Sequence, residues 1–391
     1  MSEVSRVAVI GAGTMGSDVS LLFALSGCEV IVNDVSKDAL SRLEGKCREA
    51  LKELRQASVT KEDFESVWER VTLTEKLDDV RDVDFVFEAI TEDLELKRRL
   101  FRRLDELPLS VVLATNTSSL TVTEISEGLK GAERVGGMHF SNPPALMPLV
   151  EVVKGEKTST ETVDAIVGVA EKIGKKPVVL TKDMRGFVLN RLLVSSGAEA
   201  MWSIHRGEIT PEELDASFKA MGFPIGFAEA MDRIGLDVAA TVVKYLHEAY
   251  GDRFLYPTGA FERLIKEGRL GRKTGRGFYD WSRGPPSIEA KFSERYDVMR
   301  VIAVSVNEAF WIVKDGVADP ETIDKVAKLG MLAPEGVCTL ADTIGLDGVA
   351  DILNKLYEKY RLELYRLCPL FEEYLKRGWT GKNAGRGFYE Y

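Results

Sequence analysis

Short apolar runs separated by amphipathic stretches open the chain. Arg6-Val-Ala-Val-Ile10 reads as a buried strand and Gly11-Ala-Gly-Thr-Met-Gly16 as a turn. A helix to about Ser26 follows, then Cys28-Glu-Val-Ile-Val-Asn-Asp34 as a second strand. Periodicity predicts a charged helical pair over roughly Lys37 to Glu69. Apolar runs continue at Asp84–Ile90, Val111–Ala114, Arg134–Met138 and Lys176–Thr181. Strands alternating with helices predict an α/β domain built on a mostly parallel, doubly wound sheet. Leu149-Val-Glu-Val-Val153 also reads as a strand, but with a carboxylate among aliphatics, which is costly to desolvate unless it is paired. His139 is one of three histidines and lies 12 positions upstream, on a predicted loop in His139-Phe-Ser-Asn-Pro-Pro144. The prolines force a change of direction that folds the strand back towards it, so the sequence predicts a His139–Glu151 pair.

From about Met184 the alternation ends and helical patterning takes over. Ile234-Gly-Leu-Asp237 recurs 110 positions later at Ile344–Asp347, and Gly275-Arg-Gly-Phe-Tyr279 recurs at the same distance at Gly385–Tyr389. Glu199-Ala-Met-Trp202 is echoed by Glu308-Ala-Phe-Trp311. The repeat predicts two all-α domains packed as an internal pseudo-dimer. Expected boundaries are 1–183 for the α/β domain, 184–283 for the first helical domain, 284–291 for a linker around Gly284-Pro-Pro-Ser287, and 292–391 for the second helical domain.

A length of 391 residues exceeds what one core usually spans, in keeping with several domains. Net charge is −10, with no basic tract, which argues against nucleic acid as a partner. No uncharged apolar run approaches the roughly 18 residues of a membrane helix, and the first residues lack the pattern of a signal peptide. Cys28, Cys47, Cys338 and Cys368 have no metal-ligand spacing, so no metal is expected and the thiols read as structural in a reduced, cytoplasmic protein.

Gly11-Ala-Gly-Thr-Met-Gly16 fits G-x-G-x-x-G, follows a strand, opens a helix and is followed after about 20 residues by Asp34 at the end of the next strand. In a dinucleotide fingerprint Gly11 permits the tight turn, Gly13 the approach of the pyrophosphate and Gly16 close packing of helix on strand. Thr14 and Met15 lie in the same turn. Asp34 accepts hydrogen bonds from ribose hydroxyls and repels a 2′-phosphate, so NAD is expected rather than NADP.

These motifs, together with Glu88-Ala-Ile-Thr-Glu-Asp-Leu-Glu-Leu-Lys97, Thr115-Asn-Thr-Ser-Ser-Leu120, Gly186-Phe-Val-Leu-Asn-Arg191 and Gly271-Arg-Lys-Thr-Gly-Arg-Gly-Phe-Tyr279, resemble the L-3-hydroxyacyl-CoA dehydrogenases over essentially the whole chain. The second helical copy resembles the doubled C-terminal domain of archaeal and multifunctional relatives, often found beside an enoyl-CoA hydratase. The resemblance implies NAD-dependent, reversible oxidation of an (S)-3-hydroxyacyl-CoA thioester to the 3-ketoacyl-CoA. It gives His139 the role of general base, Glu151 that of its orienting acid, and Ser118 and Asn190 contacts to the substrate oxygen. Glu92, Lys97, Asn116 and Asn142 would line the nicotinamide half of the cofactor, and Lys273 would touch it from the glycine turn. For the CoA phosphates there is only the basic face Lys46, Arg48, Lys52 and Arg55, which also reads as a solvated surface. His205 and His247 are assigned structural roles. Met299 stands opposite Asn190 and Asn383 opposite Lys273, so one active site per chain is expected.

Residue by residue, plainer readings stay open: Asn116 and Ser118 as capping residues, Glu151 as an edge-strand acid. Three stretches depart from the pattern: Met147-Pro-Leu-Val-Glu151, Asp183-Met-Arg-Gly-Phe187 and Gly226-Phe-Ala-Glu229. Pro148 also fits a sugar-acid (L-gulonate) dehydrogenase branch, and a non-catalytic, crystallin-like NAD-binding protein is the remaining alternative. Assembly as a monomer or a homodimer is left open.

Overall fold

The computed structural model describes residues 4–257, 259–289 and 295–391. It divides into two compact units, 1–187 and 188–391. The end of the expected linker and the start of the expected second helical domain, 290–294, lie outside the described residues.

The first unit is an eight-stranded sheet in the order β3-β2-β1-β4-β5-β6-β7-β8. Its strands are β1 (Arg6–Ile10), β2 (Glu29–Asn33), β3 (Val71–Thr74), β4 (Phe85–Glu88), β5 (Val112–Thr115), β6 (Val135–Phe140), β7 (Leu149–Val153) and β8 (Lys176–Leu180). Every neighbouring pair is parallel except β6 and β7. Helices α1 (Thr14–Leu25), α2 (Lys37–Ser41), α3 (Leu43–Gln56), α4 (Phe64–Trp68), α5 (Leu94–Leu104), α6 (Val122–Ser126) and α7 (Thr160–Lys172) connect the strands. Val7, Val9, Val30, Val32, Phe85 and Phe87 pack with Leu22, Phe23 and Leu51 in the main core. The chain builds outwards from β1 on one side and from β4 on the other, which opens a crevice at the carboxyl ends of those two strands.

Two expectations are corrected. His139 is not on a loop: β6 runs on to Phe140, because antiparallel pairing with β7 carries the ladder past Met138 and sets His139 directly opposite Glu151. The stretch Val71–Thr74 was not expected as a strand. Its residues are half-buried or exposed at the edge of the sheet, so it lacks the apolar run that reveals a central strand.

The second unit contains the repeat. Its first half runs α8 (Leu189–His205), α9 (Pro211–Ala220), α10 (Phe227–Ile234), α11 (Leu236–Tyr250) and α12 (Glu262–Lys266). Its second half runs α13 (Met299–Lys314), α14 (Pro320–Gly330), α15 (Val337–Ile344), α16 (Leu346–Tyr360) and α17 (Pro369–Lys376). α8 and α13 pack on each other. Arg191 and Arg300 occupy equivalent places, as do Glu199 and Glu308, and the ion pairs across the contact are reciprocal. Arg191 Nε reaches Glu308 Oε1 at 2.6 Å, and Arg300 Nη2 reaches Glu199 Oε1 at 2.7 Å. Such exchange of partners marks a twofold, isologous contact, here drawn from one chain.

Each half closes on a glycine turn held by buried aspartates. Asp232 accepts from the amides of Phe278 and Tyr279 and from Trp281 Nε1, while the Tyr279 hydroxyl reaches Asp215 Oδ2 at 2.8 Å. In the second half Asp342 accepts from the amides of Phe388 and Tyr389, and the Tyr389 hydroxyl reaches Asp324 Oδ2 at 2.9 Å. A Cβ on Gly277 would lie 1.9 Å from Asp232 Oδ1, and one on Gly387 2.0 Å from Asp342 Oδ1, so both positions require glycine.

Candidate functional site

The turn after β1 is shaped for an anion. Gly11 takes φ +108°, and a Cβ on Gly16 would lie 1.8 Å from the Gly11 carbonyl oxygen, which is why α1 can start hard against the strand end. A Cβ on Gly13 would meet nothing within 4 Å, so the exposed face of the turn is open. Gly13 is the N-cap of α1 and offers no capping side chain, leaving the positive end of the helix to a ligand. Asp34 accepts from the Ala12 amide at 2.7 Å and from the Ser36 amide at 2.8 Å, which fixes its carboxylate beside the turn. These residues fit a dinucleotide pyrophosphate and its adenosine ribose. Thr14 and Met15 begin the helix.

At the far end of the same sheet edge lies the predicted pair. His139 Nδ1 and Glu151 Oε2 are 2.7 Å apart, both side chains nearly sealed from solvent, on facing rungs of β6 and β7. A carboxylate only accepts, so Nδ1 carries the proton and Nε2 is the basic nitrogen. The Phe187 ring packs against the imidazole with centroids 5.5 Å apart.

Beside β6, the carboxyl ends of β4 and β5 hold a charged network. Glu88 is fully buried and bonds Lys97 Nζ at 2.5 Å, the Thr115 hydroxyl at 2.6 Å and the Ile90 amide at 2.8 Å. Glu92 Oε1 gathers the loop after β5 by accepting from the Ser118 amide at 2.8 Å, the Ser119 amide at 2.9 Å and the Thr117 hydroxyl at 2.7 Å. Burial alone would raise the Glu92 carboxyl. The Lys97 ammonium, the Thr117 hydroxyl and those amides outweigh it and hold the group at about 2. Burial likewise opposes the charge on Lys97, yet Glu88 and Glu92 together leave its affinity for a proton above the ordinary value. Asn116 Oδ1 accepts from the Phe140 amide at 3.1 Å, tying this loop to the end of β6. The half-buried Ser118 is thus placed by charged groups beneath it.

The remaining expected residues are distributed as follows. Asn142 is half-buried in the loop between β6 and β7. Asn190 is in the first turn of α8, and Lys273 pairs with Asp237 at 2.5 Å; both belong to the helical unit. Of the basic face, Lys46 Nζ bonds the Ala12 carbonyl at 3.3 Å, and Arg48 is engaged with Glu44 and Glu65. His205 stacks edge-on against Trp202, and His247 faces Asp252.

Sequence reasoning missed Glu88 and Phe187, although both lie inside quoted motifs. It also missed Lys175, which donates to the Ala145 and Met147 carbonyls at 3.1 and 3.0 Å, while the Asp18 carboxylate accepts from the Ala145 amide at 3.3 Å. Together they grip the loop that joins His139 to Glu151. Among the described residues no group of histidine, cysteine or carboxylate side chains is arranged to hold a metal ion, and no helix is long and apolar enough to cross a membrane.

Residues 6–184 match the family model of the 3-hydroxyacyl-CoA dehydrogenase NAD-binding domain. The family model of the C-terminal domain matches twice, at 186–281 and 296–391. A probable 3-hydroxybutyryl-CoA dehydrogenase of Bacillus subtilis is 37% identical over 71% of this chain and 98% of its own length. The fatty acid oxidation complex subunit alpha of Shewanella amazonensis is 32% identical over 92% of this chain, which spans 53% of that relative. The crystal structure of 3-hydroxybutyryl-CoA dehydrogenase from Escherichia coli superposes with a TM-score of 0.83 at 27% identity, covering 96% of this chain and 99% of that one.

Proposed function

We propose, since the chain belongs to the 3-hydroxyacyl-CoA dehydrogenase family and is an NAD-dependent oxidoreductase, that its substrate is a short (S)-3-hydroxyacyl-CoA of the 3-hydroxybutyryl class and that His139 is the base of the reaction. The observation that carries this reading is the sealed 2.7 Å contact between His139 and Glu151. Glu151 holds the Nδ1 proton, leaving Nε2 to take the proton of the substrate's 3-hydroxyl. Glu151 then stabilises the imidazolium that results. Bound NAD supplies the hydride acceptor. Ser118, set in place by Glu92, donates to the substrate oxygen, and in the reverse direction it polarises the ketone. Asn190 keeps the oxygen-binding role that the family resemblance gives it.

The test is loss of NADH absorbance with acetoacetyl-CoA beside free acetoacetate. Turnover of the thioester alone is expected, and turnover of free acid alone, or of neither, would refute the substrate class. His139→Gln is expected to bind NADH normally and to lose on the order of 10²- to 10⁴-fold in kcat. Free, buried thiols at all four cysteines support a reducing, cytoplasmic setting. The match to about half of a fatty acid oxidation subunit supports a functional link to other enzymes of fatty acid oxidation, among which the family resemblance points to an enoyl-CoA hydratase. One active site per chain is supported by the replacement of Asn190 and Lys273 by Met299 and Asn383 in the second copy.

A further inference from the structure

The segment that ends the first unit takes a backbone path that its sequence resists. Gly186 has φ +76° and Phe187 has φ +49°, two successive left-handed positions. Glycine adopts this region freely, but in a bulky residue it crowds Cβ against the following carbonyl and persists only where the surroundings impose it. Here they do. The Asp183 carboxylate accepts from the Thr123 amide and hydroxyl, both at 2.7 Å, and Arg185 pairs with Glu124 at 2.7 Å. The Phe187 amide then closes the turn on the Met184 carbonyl at 3.1 Å. The result is a fully buried phenyl ring against the His139 imidazole, centroids 5.5 Å apart and planes inclined at 57°.

A phenylalanine that only filled the core would gain nothing from this conformation. A histidine held at one nitrogen, however, has a problem that the ring solves. The bond from Nδ1 to Glu151 fixes one point of the imidazole and still lets the ring swing about it, which moves Nε2. A ring packed against the imidazole, inclined at 57°, restricts that freedom. We propose that Phe187 is a positioning residue for His139: its ring, with Glu151, fixes the direction in which Nε2 points, and the strained turn Asp183–Phe187 is kept because it delivers the ring there. The inference rests on His139 being the base, and it predicts that the shape of residue 187 matters for turnover rather than for binding.

Phe187→Leu and Phe187→Met remove the aromatic ring, and Phe187→Tyr keeps it. For Leu and Met we expect kcat with acetoacetyl-CoA to fall on the order of 10- to 100-fold while KM for NADH changes less than about 2-fold, with Tyr close to wild type. A folded Leu or Met variant with wild-type kcat, or a Tyr variant as slow as Leu, overturns the proposal. A second readout needs no turnover, so it separates failure of this inference from failure of the proposed reaction. With three histidines in the chain, the His139 imidazole signals are identified by their loss in His139→Gln. In histidine-labelled wild type they should form one narrow set carrying the ring-current displacement of a neighbouring phenyl ring. They should lose that displacement and broaden in Phe187→Met. Undisplaced or multiple His139 signals in the wild type overturn the proposal even if no variant folds.

Discussion

The two halves of the helical unit began from one pattern and have kept different parts of it. Both retain the aspartate clamps, the glycine turn and the arginine and glutamate that cross between α8 and α13. Only the first half has an asparagine at position 190 and a lysine at 273, where the second has Met299 and Asn383. What survives in both halves is what the fold needs. By that criterion the Gly-Arg-Gly-Phe-Tyr turn is structural, since its glycine makes room for a carboxylate and its tyrosine reaches a second one in either half. Lys273, present once and tied to Asp237, is one of the positions in that turn that the shared fold does not hold constant.

The comparison is broken most severely at the reciprocal ion pairs. Arg191 is fully buried, and Arg191→Met leaves Glu308 without its main partner, so a loss of about 3–5 kcal/mol in urea unfolding is expected. Arg300→Met should cost about 1–3 kcal/mol, because Glu199 keeps Arg206, Tyr296 and Tyr365. Equal losses would show that the halves share the load evenly. Next comes the difference in chemistry. Asn190→Ala should lower kcat on the order of 10²- to 10³-fold, whereas Met299→Ala should leave it unchanged. A comparable loss from both would contradict the claim that the second half has no reactive role. The clamps should respond more mildly, with Asp232→Asn costing about 2–3 kcal/mol and Asp342→Asn somewhat less, since the third bond to Asp342, from the Tyr391 hydroxyl, is long at 3.3 Å.

The smallest effect is a pH slope contributed by Asp215 in the first half, where the second half has a raised carboxyl of its own at Asp342. Burial pushes the Asp215 carboxyl up to about 6, against the opposing amides of Ala228 and Glu229 and the Tyr279 hydroxyl. Between about pH 4 and 6 the folded form therefore holds a proton that the unfolded chain has released, so stability falls as pH rises. The slope is at most about 1.4 kcal/mol per pH unit. Unfolding midpoints of wild type and Asp215→Asn across that range test it, and parallel curves would remove Asp215 as the source.

Much of the architecture was legible because its signals are local. The glycine fingerprint, the alternation of strands and helices and the 110-residue repeat each reside in a few adjacent positions. The contact of His139 with Glu151 was legible for another reason: a carboxylate in an aliphatic strand demands a partner, and few were on offer. What escaped depends on distant segments. β6 reaches His139 only because β7 returns beside it. The edge strand β3 is too polar to announce itself. Glu88 gains meaning only once Lys97 is folded onto it, and no composition rule signals that Phe187 will adopt a left-handed backbone.

The reciprocal contact between α8 and α13 has one more consequence. When two separate chains meet in this way, the contact depends on how much protein is present and dissolves on dilution. Here the partner faces are joined by the backbone, so each always meets the other at an effective concentration on the order of millimolar or above, however dilute the solution. The contact can be lost only by unfolding, never by separation.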